Sequence, residues 1–304
     1  MKRLIDLKKK HWQWIVLVSL AFIWGTSFIL MKKGLDSYTS MQVGCFRIFF
    51  SFVLFIPFII KSIKKLTLGN LRSLLVVGVI GIAIPALLFT KAETQVDSSV
   101  AGMLNSLTPL FTFIISLLFY RTYAQLINII GVILGLLGAV GLMLKKGSFS
   151  LSDFDNYALF IVLATLCYGI NVNEIKHKLK HLTSMEISSL AFIFTGPAAG
   201  IYLLFSDYSY ATTSQNPVQN LIFVFLLALF SSVIATIVFN HLIKFTTTLF
   251  AASVTYIIPI FAIFWGVFDG EKLRPAQFIW VTLILIGVYL VNKNNNANKK
   301  DEKI

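Results

Sequence analysis

The sequence predicts an all-α transmembrane protein whose ten helices form two inverted repeats of five. Three observations predict this fold. The 304 residues are 57% hydrophobic with a mean hydropathy of +0.82, and only 13% are charged, about half the charged fraction of soluble proteins. The apolar residues form long blocks of roughly 20 residues, the length of helix that crosses a hydrocarbon core about 30 Å thick. Short motifs also recur at a fixed distance along the chain.

The apolar blocks are separated by short polar connections, none of which could hold a soluble domain. The first block follows a basic N-terminus, as in a signal peptide. It lacks a small-residue cleavage site, however, and Lys32 and Lys33 follow it directly. We therefore interpret it as an uncleaved span. The predicted spans are Gln13–Met31, Met41–Ile60, Leu71–Thr90, Ser98–Phe119, Gln125–Leu144, Tyr157–Ile175, Ser184–Phe205, Asn220–Ile243, Thr248–Phe268 and Pro275–Asn292.

The charge distribution predicts the orientation. The net charge of +13 is compatible with a nucleic-acid partner, but the Lys and Arg residues cluster between apolar blocks, where membrane topology explains them. The termini, the even-numbered connections and Arg72 at the start of the third span hold 18 of these 26 residues, and the odd-numbered connections hold 7. Because the side richer in Lys and Arg is cytoplasmic, we expect a multi-pass protein of the cell membrane with both termini in the cytoplasm and no nucleic-acid partner. Residues 293–304 form a polar tail that we expect to be disordered.

The repeat is visible in residues that are not simply apolar. Trp24-Gly25 recurs as Tyr168-Gly169, 144 residues later, and Pro109 recurs as Pro259 at a distance of 150. The two copies are residues 13–144 and 157–292. Each holds five spans, and because five is odd, the second copy enters the membrane upside down relative to the first. Inverted repeats of this kind enclose a site near the middle of the membrane in many transporters.

The fourth and ninth spans carry matching faces of small and polar residues around a proline. A proline leaves the carbonyl four residues earlier without its helical partner, so Pro109 frees the carbonyl of Asn105, and Pro259 that of Thr255. Freed carbonyls at mid-membrane can line a polar cavity, which we expect here; close helix packing by small residues is the alternative. The two faces are Gly102, Asn105, Pro109, Thr112 and Ser116, and Ala252, Thr255, Pro259, Ala262 and Gly266.

Arg47 lies about 9 Å inside the second span. An Arg at a helix centre costs about 3 kcal/mol on insertion scales and needs a partner or water. Two interpretations stay open: a structural Arg that extends to the interface, or a direct contact with an anionic substrate group. Its counterpart in the second copy is Ala191.

Further candidate residues follow from the repeat. Trp24 and Tyr168 are equivalent aromatic residues with polar tips, suited to the wall of a pocket for amphipathic molecules. Asn171 adds a polar group one turn from Tyr168, and Tyr256 follows Thr255. The predicted substrate-binding residues are Trp24, Arg47, Asn105, Tyr168, Asn171, Thr255 and Tyr256, and the predicted gating residues at opposite ends of the path are Lys91, Asn240 and His241.

Several chemistries have no support in the sequence. Cys45 and Cys167 both fall inside apolar blocks and are better read as packed small hydrophobes than as a metal site. Glu93 and Asp97 belong to a connection, so a buried carboxylate proton relay is not expected. There is no phosphate-binding loop and no cluster of reactive side chains. We expect no cofactor, no metal and no enzymatic activity.

The chain resembles the EamA family of the drug/metabolite transporter superfamily. The similar features are Trp24-Gly25 in the first span, Arg47 early in the second, and the Pro109 span followed by a Gly-rich fifth span. This resemblance implies ten helices in two inverted halves and movement of small metabolites, often outward. Members commonly carry a Gly-Glu pair after the fourth and ninth spans. Gly270-Glu271 fits this pattern, whereas Tyr120-Arg121 replaces the pair in the first copy.

The residues and the resemblance together predict a secondary transporter that exports small metabolites, amino acids or drugs by alternating access. The alternative is an exchanger of anionic metabolites such as phosphorylated sugars. That activity needs cationic groups at depth, and only Arg47 qualifies. The expected partners are a small-molecule substrate and the lipid bilayer, with the protein a monomer or a homodimer.

Overall fold

The computed structural model describes residues 9–120, 123–144, 155–246, 250–251 and 253–293. These residues form a bundle of α-helices joined by short connections and contain no β-strand. In the described part of the chain, eight helices are long and apolar enough to cross a membrane, and two further apolar helices near the C-terminal end are shorter. They are α1 (Lys10–Leu35), α2 (Ser40–Lys65), α3 (Leu68–Ala92), α4 (Ser98–Phe119), α5 (Leu126–Met143), α6 (Ala158–Lys178), α7 (Ser184–Leu204), α8 (Pro217–Ile243), α9 (Val254–Phe268) and α10 (Pro275–Val291).

The predicted spans coincide with these helices, but some ends differ. The first span was expected over Gln13–Met31, and α1 runs from Lys10 to Leu35. Its extension includes Lys32 and Lys33, whose ammonium groups pair with Glu271 and Asp269. Because these ion pairs accommodate the charges, the helix continues past the apolar block. The predicted tail from residue 294 onward lies outside the described residues.

A repeated Thr-Ser-Met motif starts a helix in each half. The hydroxyl of Thr39 accepts a hydrogen bond from the backbone N–H of Gln42, and the side chain of Gln42 accepts one from the backbone N–H of Thr39. Thr183 and Glu186 form the same reciprocal arrangement at the start of α7. This capping box satisfies two backbone donors that a helix start leaves unpaired.

α5 and α10, the last helix of each half, run antiparallel against each other. Along α5 and α10, Gly131 lies against Gly287, whereas Gly138 lies against Trp280 and Ile284, so the contacts proceed in opposite directions. A Cβ atom on Gly131 would lie 2.5 Å from the carbonyl oxygen of Gly287. The glycine face of α5 therefore packs against α10 of the same chain, as small residues permit.

The remaining contacts between helices also come in matching sets. α2 packs against α7, and α4 packs against α9. α1 packs against α8 and α9, and α6 packs in the equivalent way against α3 and α4. The center of the bundle is thus built where helices of one half cross those of the other.

Four segments near this crossing depart from regular α-helix. α4 contains a 3₁₀ turn at Asn105–Leu107, just before Pro109, and the residues Ser253–Tyr256 form a 3₁₀ turn before Pro259. α3 contains a π-helical segment at Val79–Ala83, and α8 contains one at Leu227–Ile234. Such segments widen or tighten a helix and are frequent at functional sites.

Candidate substrate-binding site

The irregular segments surround a cavity of about 130 Å³, counted as the space open to the center of a water molecule. Helices from both halves of the chain contribute to its wall. Aromatic side chains make up much of the wall, namely Trp24, Phe28, Phe89, Tyr168, Phe192 and Phe239. The polar lining residues are Ser27, Arg47, Asn105, Thr108, Asn171, Ser231, Ser232, Thr236, Asn240 and Thr255.

Arg47 faces this cavity and is its only charged residue among the described lining residues. Its Nε–H donates a hydrogen bond of 2.8 Å to the hydroxyl of Ser232 on α8, and its guanidinium also interacts with the hydroxyl of Tyr168. In the described part of the chain, no carboxylate lies within ion-pair distance of it. A guanidinium has more N–H donors than these contacts use, so it can also bind a carboxylate of a ligand.

Trp24 and Tyr168, which are equivalent in the repeat, both line the cavity. The indole N–H of Trp24 donates to the backbone carbonyl of Ser231, and its ring meets the ring of Phe239 edge-on at 5.0 Å. The ring of Tyr168 stacks on Phe89 at 6.0 Å. Trp24 contacts α8 and Tyr168 contacts α3, so each aromatic side chain is held by a helix of the other half. These contacts give the walls a defined shape.

Asn171 reaches the cavity because its neighbor on α3 is a glycine. A Cβ atom on Gly81 would lie 2.4 Å from the amide group of Asn171. The amide oxygen of Asn171 is buried and has no hydrogen-bond partner among the described residues, and the same holds for the hydroxyl of Ser231. Both groups line the cavity, where they can bind a ligand or water.

The carbonyls freed by the two prolines each accept a hydrogen bond from a hydroxyl group nearby. The hydroxyl of Thr108 donates to the carbonyl of Asn105 at 2.9 Å, and the hydroxyl of Ser106 donates to the carbonyl of Thr255 at 3.0 Å. The second bond joins α4 to the 3₁₀ turn at the start of α9. Neighboring hydroxyl groups thus replace the lost helical donors. Asn105 and Thr255 are both buried and do line the cavity.

Most of the small-residue faces on α4 and α9 pack helices together. A Cβ atom on Gly102 would lie 2.2 Å from that of Ala262, and one on Gly266 would lie 3.0 Å from that of Ser99. The carbonyl of Thr112 accepts a hydrogen bond from Asn173 of α6. The expectation of a continuous polar lining is therefore wrong for these positions, because the two helices cross too closely to leave space. Ala252 lies outside the described residues.

Four other predicted residues have different surroundings. Tyr256 is half-buried against the core and does not line the cavity. Lys91 is exposed, with its ammonium 5.7 Å from the center of the Tyr157 ring, and His241 is exposed beside Phe245. Asn240 is buried in the cavity wall and donates to the hydroxyl of Ser188. The structure thus brings Asn240 to the cavity and leaves Lys91 and His241 at the surface.

The sequence analysis missed the residues that the π-helical segments bring to the cavity. Gly81 and Ile82 line it from α3, and Ser231 and Ser232 line it from α8. These pairs are also 150 residues apart, the distance that relates Pro109 to Pro259. The repeat could therefore have identified Gly81 and Ser231, since both are small residues that interrupt otherwise bulky apolar runs.

Glu271, which follows α9, connects to α1 and to the start of α4 at one end of the bundle. We call this end the Lys32 end and define it by Lys32, Glu93, Asp97, Ser98, Ser99 and Glu271. Its carboxylate accepts hydrogen bonds from the ammonium of Lys32 at 2.7 Å and from the backbone N–H groups of Ser98 and Ser99 at 2.8 and 3.0 Å. Both serine hydroxyls donate to it as well. Burial alone would raise the pKa of Glu271, but these hydrogen bonds outweigh it and lower the pKa to about 2.

Known proteins agree with this architecture. The model of the EamA-like transporter family matches residues 11–144 and 156–293. The chain belongs to this family. It is 26% identical over 288 residues to the uncharacterized inner membrane transporter YedA of Escherichia coli K12, covering 90% of this chain and 89% of YedA. It is 21% identical to an S-adenosylmethionine/S-adenosylhomocysteine transporter of Chlamydia trachomatis serovar L2, covering 89% of this chain and 86% of that protein.

A solved crystal structure has a similar fold, with a TM-score of 0.65 and 13% identity over 94% of this chain and 98% of that chain. This EamA-like protein is therefore a multi-span membrane transporter.

Proposed function

We propose that this EamA-like protein is a secondary transporter that exports small amphipathic metabolites, amino acids among them, by alternating access. The observation that carries the proposal is the central cavity between the two halves of the chain, which combines aromatic walls with one cationic residue, Arg47, among the lining residues that the structure describes. Outward transport is the common direction among the family members that the sequence resembles.

The proposed architecture has ten spans in two inverted repeats, with both termini in the cytoplasm. The antiparallel contacts between α5 and α10 support it, as do the matching sets of helix contacts in the two halves. The two π-helical segments, which recur near the same distance as the prolines, support it further. In such a fold, rocking of one half against the other exposes the cavity to each side of the membrane in turn.

The substrate class follows from the chemistry of the cavity. Arg47 suits a carboxylate, and the unpartnered oxygens of Asn171 and Ser231 can accept hydrogen bonds from an ammonium or amide group. Aromatic walls suit an apolar body. A cation without a carboxylate would face Arg47, and the described part of the cavity wall contains no acidic residue to compensate, which disfavors cationic drugs. The relative named as an S-adenosylmethionine transporter is in keeping with a substrate of amino-acid type.

Transport by the purified full-length protein in liposomes tests this proposal. We expect movement of phenylalanine but not of phenethylamine, which lacks only the carboxylate. Arg47→Gln should slow phenylalanine transport about tenfold or more, the usual effect of removing one partner of a buried charged contact. Arg72→Gln, which changes an exposed Arg on α3, serves as the control with unchanged transport.

Two results would contradict the proposal. Transport by Arg47→Gln at the unaltered rate would rule out the role of Arg47. Movement of glucose 6-phosphate in preference to phenylalanine would instead favor the exchange of phosphorylated sugars.

A further inference from the structure

Glu93 is a buried carboxyl group that the transport site does not use. It directly follows α3, and its backbone N–H bonds to the carbonyl of Phe89, so it continues the helix. Only 4% of the residue is exposed, and neither carboxylate oxygen has a hydrogen-bond partner among the described residues. The sequence placed Glu93 in a connection and gave no reason to expect a buried carboxylate proton relay, but the structure buries this carboxyl group at the end of α3.

Three charged groups act on Glu93 from other elements: Lys32 of α1, Arg47 of α2 and Glu271 between α9 and α10. Lys32 is already paired with Glu271, and Arg47 donates to Ser232 at the cavity. Burial raises the pKa of Glu93 well above its usual value, and Glu271 raises it further, while the charges of Lys32 and Arg47 oppose this only in part. A buried carboxylate without hydrogen bonds is costly, so the group binds a proton instead.

The other half of the chain shows that packing does not require a carboxyl group here. The counterpart of Glu93, 150 residues later, is Ile243, which is fully buried. Lys32 has Lys176 as its counterpart at a distance of 144, and the ammonium of Lys176 donates to the carbonyls of Ile243 and Thr246. The same place in the fold is thus filled by an apolar side chain, and only the Lys32 end carries a titratable group in it.

We propose that Glu93 is a proton-binding site that links closure of the Lys32 end to pH and, on the basis of the proposed transport function, makes the rate of transport depend on the pH of the side that this end faces. In the closed state described here, neutral Glu93 lies beneath the network of Lys32, Glu271, Ser98 and Ser99. Opening this end admits water to Glu93, the O–H bond of the carboxyl breaks, and the proton passes to that water. Each opening and closing cycle then releases and rebinds one proton on the side that the Lys32 end faces.

The direction of the pH dependence follows from linkage. The pKa of Glu93 is raised in the closed state relative to a hydrated state, so protonation stabilizes the closed state. This stabilization is fully present below the hydrated value and is lost as the pH rises toward the raised value. Glu271, whose pKa lies at about 2, titrates well below this window. Asp97 lies half-exposed in the same connection, and its pKa is raised by burial and by Glu271.

Cysteine accessibility in the full-length protein, held in lipid nanodiscs with both faces in the same buffer, tests the proposal. Cys45 and Cys167 are replaced by Ala, and a reporter is placed by Val100→Cys, a buried position in the first turn of α4. Its labeling rate with a hydrophilic methanethiosulfonate is divided at each pH by that of Gln95→Cys, an exposed position nearby. We expect this ratio to rise with pH by up to about tenfold per pH unit. In Glu93→Gln it should stay low at every pH.

A matched variant and a second measurement complete the test. Glu174→Gln removes a carboxylate that accepts hydrogen bonds from Ser73 and Tyr120, and the pH dependence at Val100→Cys should persist. Infrared spectra of the unlabeled protein at neutral pH should show a protonated carboxyl band that Glu93→Gln abolishes.

A ratio that does not change with pH, or one that changes equally in Glu93→Gln, would overturn the proposal, as would a missing carboxyl band. Neither measurement needs a substrate. Failure of phenylalanine transport therefore leaves this result interpretable, and transport without the pH-dependent ratio would contradict the role of Glu93 alone.

Discussion

Arg47, Asn171 and Gly81 show how single positions determine what the cavity can hold. Arg47 could have extended to the interface, as long basic side chains near helix ends often do. Its bond to Ser232 holds it at the cavity instead, where the proposed function assigns it the carboxylate of the substrate. Asn171 contributes an unpartnered oxygen only because Gly81 has no side chain to exclude it. The polarity of the cavity thus depends on one charge and on one missing side chain.

Gly81→Val should therefore impair transport while the protein still folds. The added side chain would overlap the amide of Asn171, since a Cβ atom alone would lie 2.4 Å away. Overpacking of this kind costs about 1–3 kcal/mol of folding stability. Displacing the amide of Asn171 from the cavity removes one hydrogen bond to the substrate, worth about 1 kcal/mol, so substrate affinity should fall by about five- to tenfold. The measurement is the half-saturating phenylalanine concentration in liposomes, with thermal unfolding recorded in parallel.

Gly69→Ala provides the control for this substitution. Its nearest neighbor beyond the adjacent residues is the hydroxyl of Thr67 at 3.9 Å, so neither transport nor stability should change. Normal affinity in Gly81→Val would show that Asn171 does not contribute to substrate binding.

At the scale of elements, the sequence predicts helices well and their irregular segments only in part. Long apolar blocks are sufficient to locate the spans, because a helix is the structure that satisfies every backbone group in lipid. The prolines are visible, so a break near Asn105 was predictable. The hydrogen bond from the hydroxyl of Ser106 to the freed carbonyl of Thr255 was not predictable, since it joins residues that are 149 apart in the chain.

The π-helical segments could not be predicted from local sequence. Leu227–Ile234 is apolar except for Ser231 and Ser232, and nothing in this short sequence specifies a π-helix. Its geometry is accompanied by tertiary contacts. The carbonyl of Ser231 accepts the indole N–H of Trp24, and the hydroxyl of Ser232 accepts a bond from Arg47. Only packing brings these partners together, so the site was predicted on the helices with prolines and missed on α8.

Restoring a regular helix at Pro109 should separate folding from transport. In Pro109→Ala the new backbone N–H can bond to the carbonyl of Asn105, which removes the reason for the 3₁₀ turn. We expect thermal stability to be maintained or increased. Because Asn105 lines the cavity, straightening α4 should turn its amide away and lower phenylalanine transport by about tenfold or more.

A proline away from the cavity gives the matched comparison. Pro57 lies inside α2 with an exposed side chain, and Pro57→Ala should leave transport unchanged. Equal rates for Pro109→Ala and the unaltered protein would mean that the break in α4 has no role in shaping the cavity.

Across the whole molecule, the two halves repeat their backbone but not their charges. The Lys32 end holds Glu93 and Glu271, whereas Lys176 at the opposite end donates to backbone carbonyls. Repetition of the backbone provides two similar arrangements between which the bundle can alternate. The difference in charge means that, of these two equivalent positions, only the one at the Lys32 end responds to protons, through Glu93. If the two ends face opposite sides of the membrane, this response depends on the pH of one side alone.

Labeling of intact cells tests that condition and the predicted orientation together. Gln95→Cys lies between α3 and α4 at the Lys32 end, and His181→Cys lies between α6 and α7; both positions are exposed. With Cys45 and Cys167 replaced, an impermeant maleimide should label only Gln95→Cys in intact cells, because Lys and Arg residues are concentrated on the cytoplasmic side. Permeabilized cells should show labeling of both.

Labeling of His181→Cys alone would reverse the orientation, so that Glu93 would exchange protons with the cytoplasm. Labeling of both in intact cells would place the two connections on one side, which is incompatible with an odd number of spans between them and hence with inverted halves.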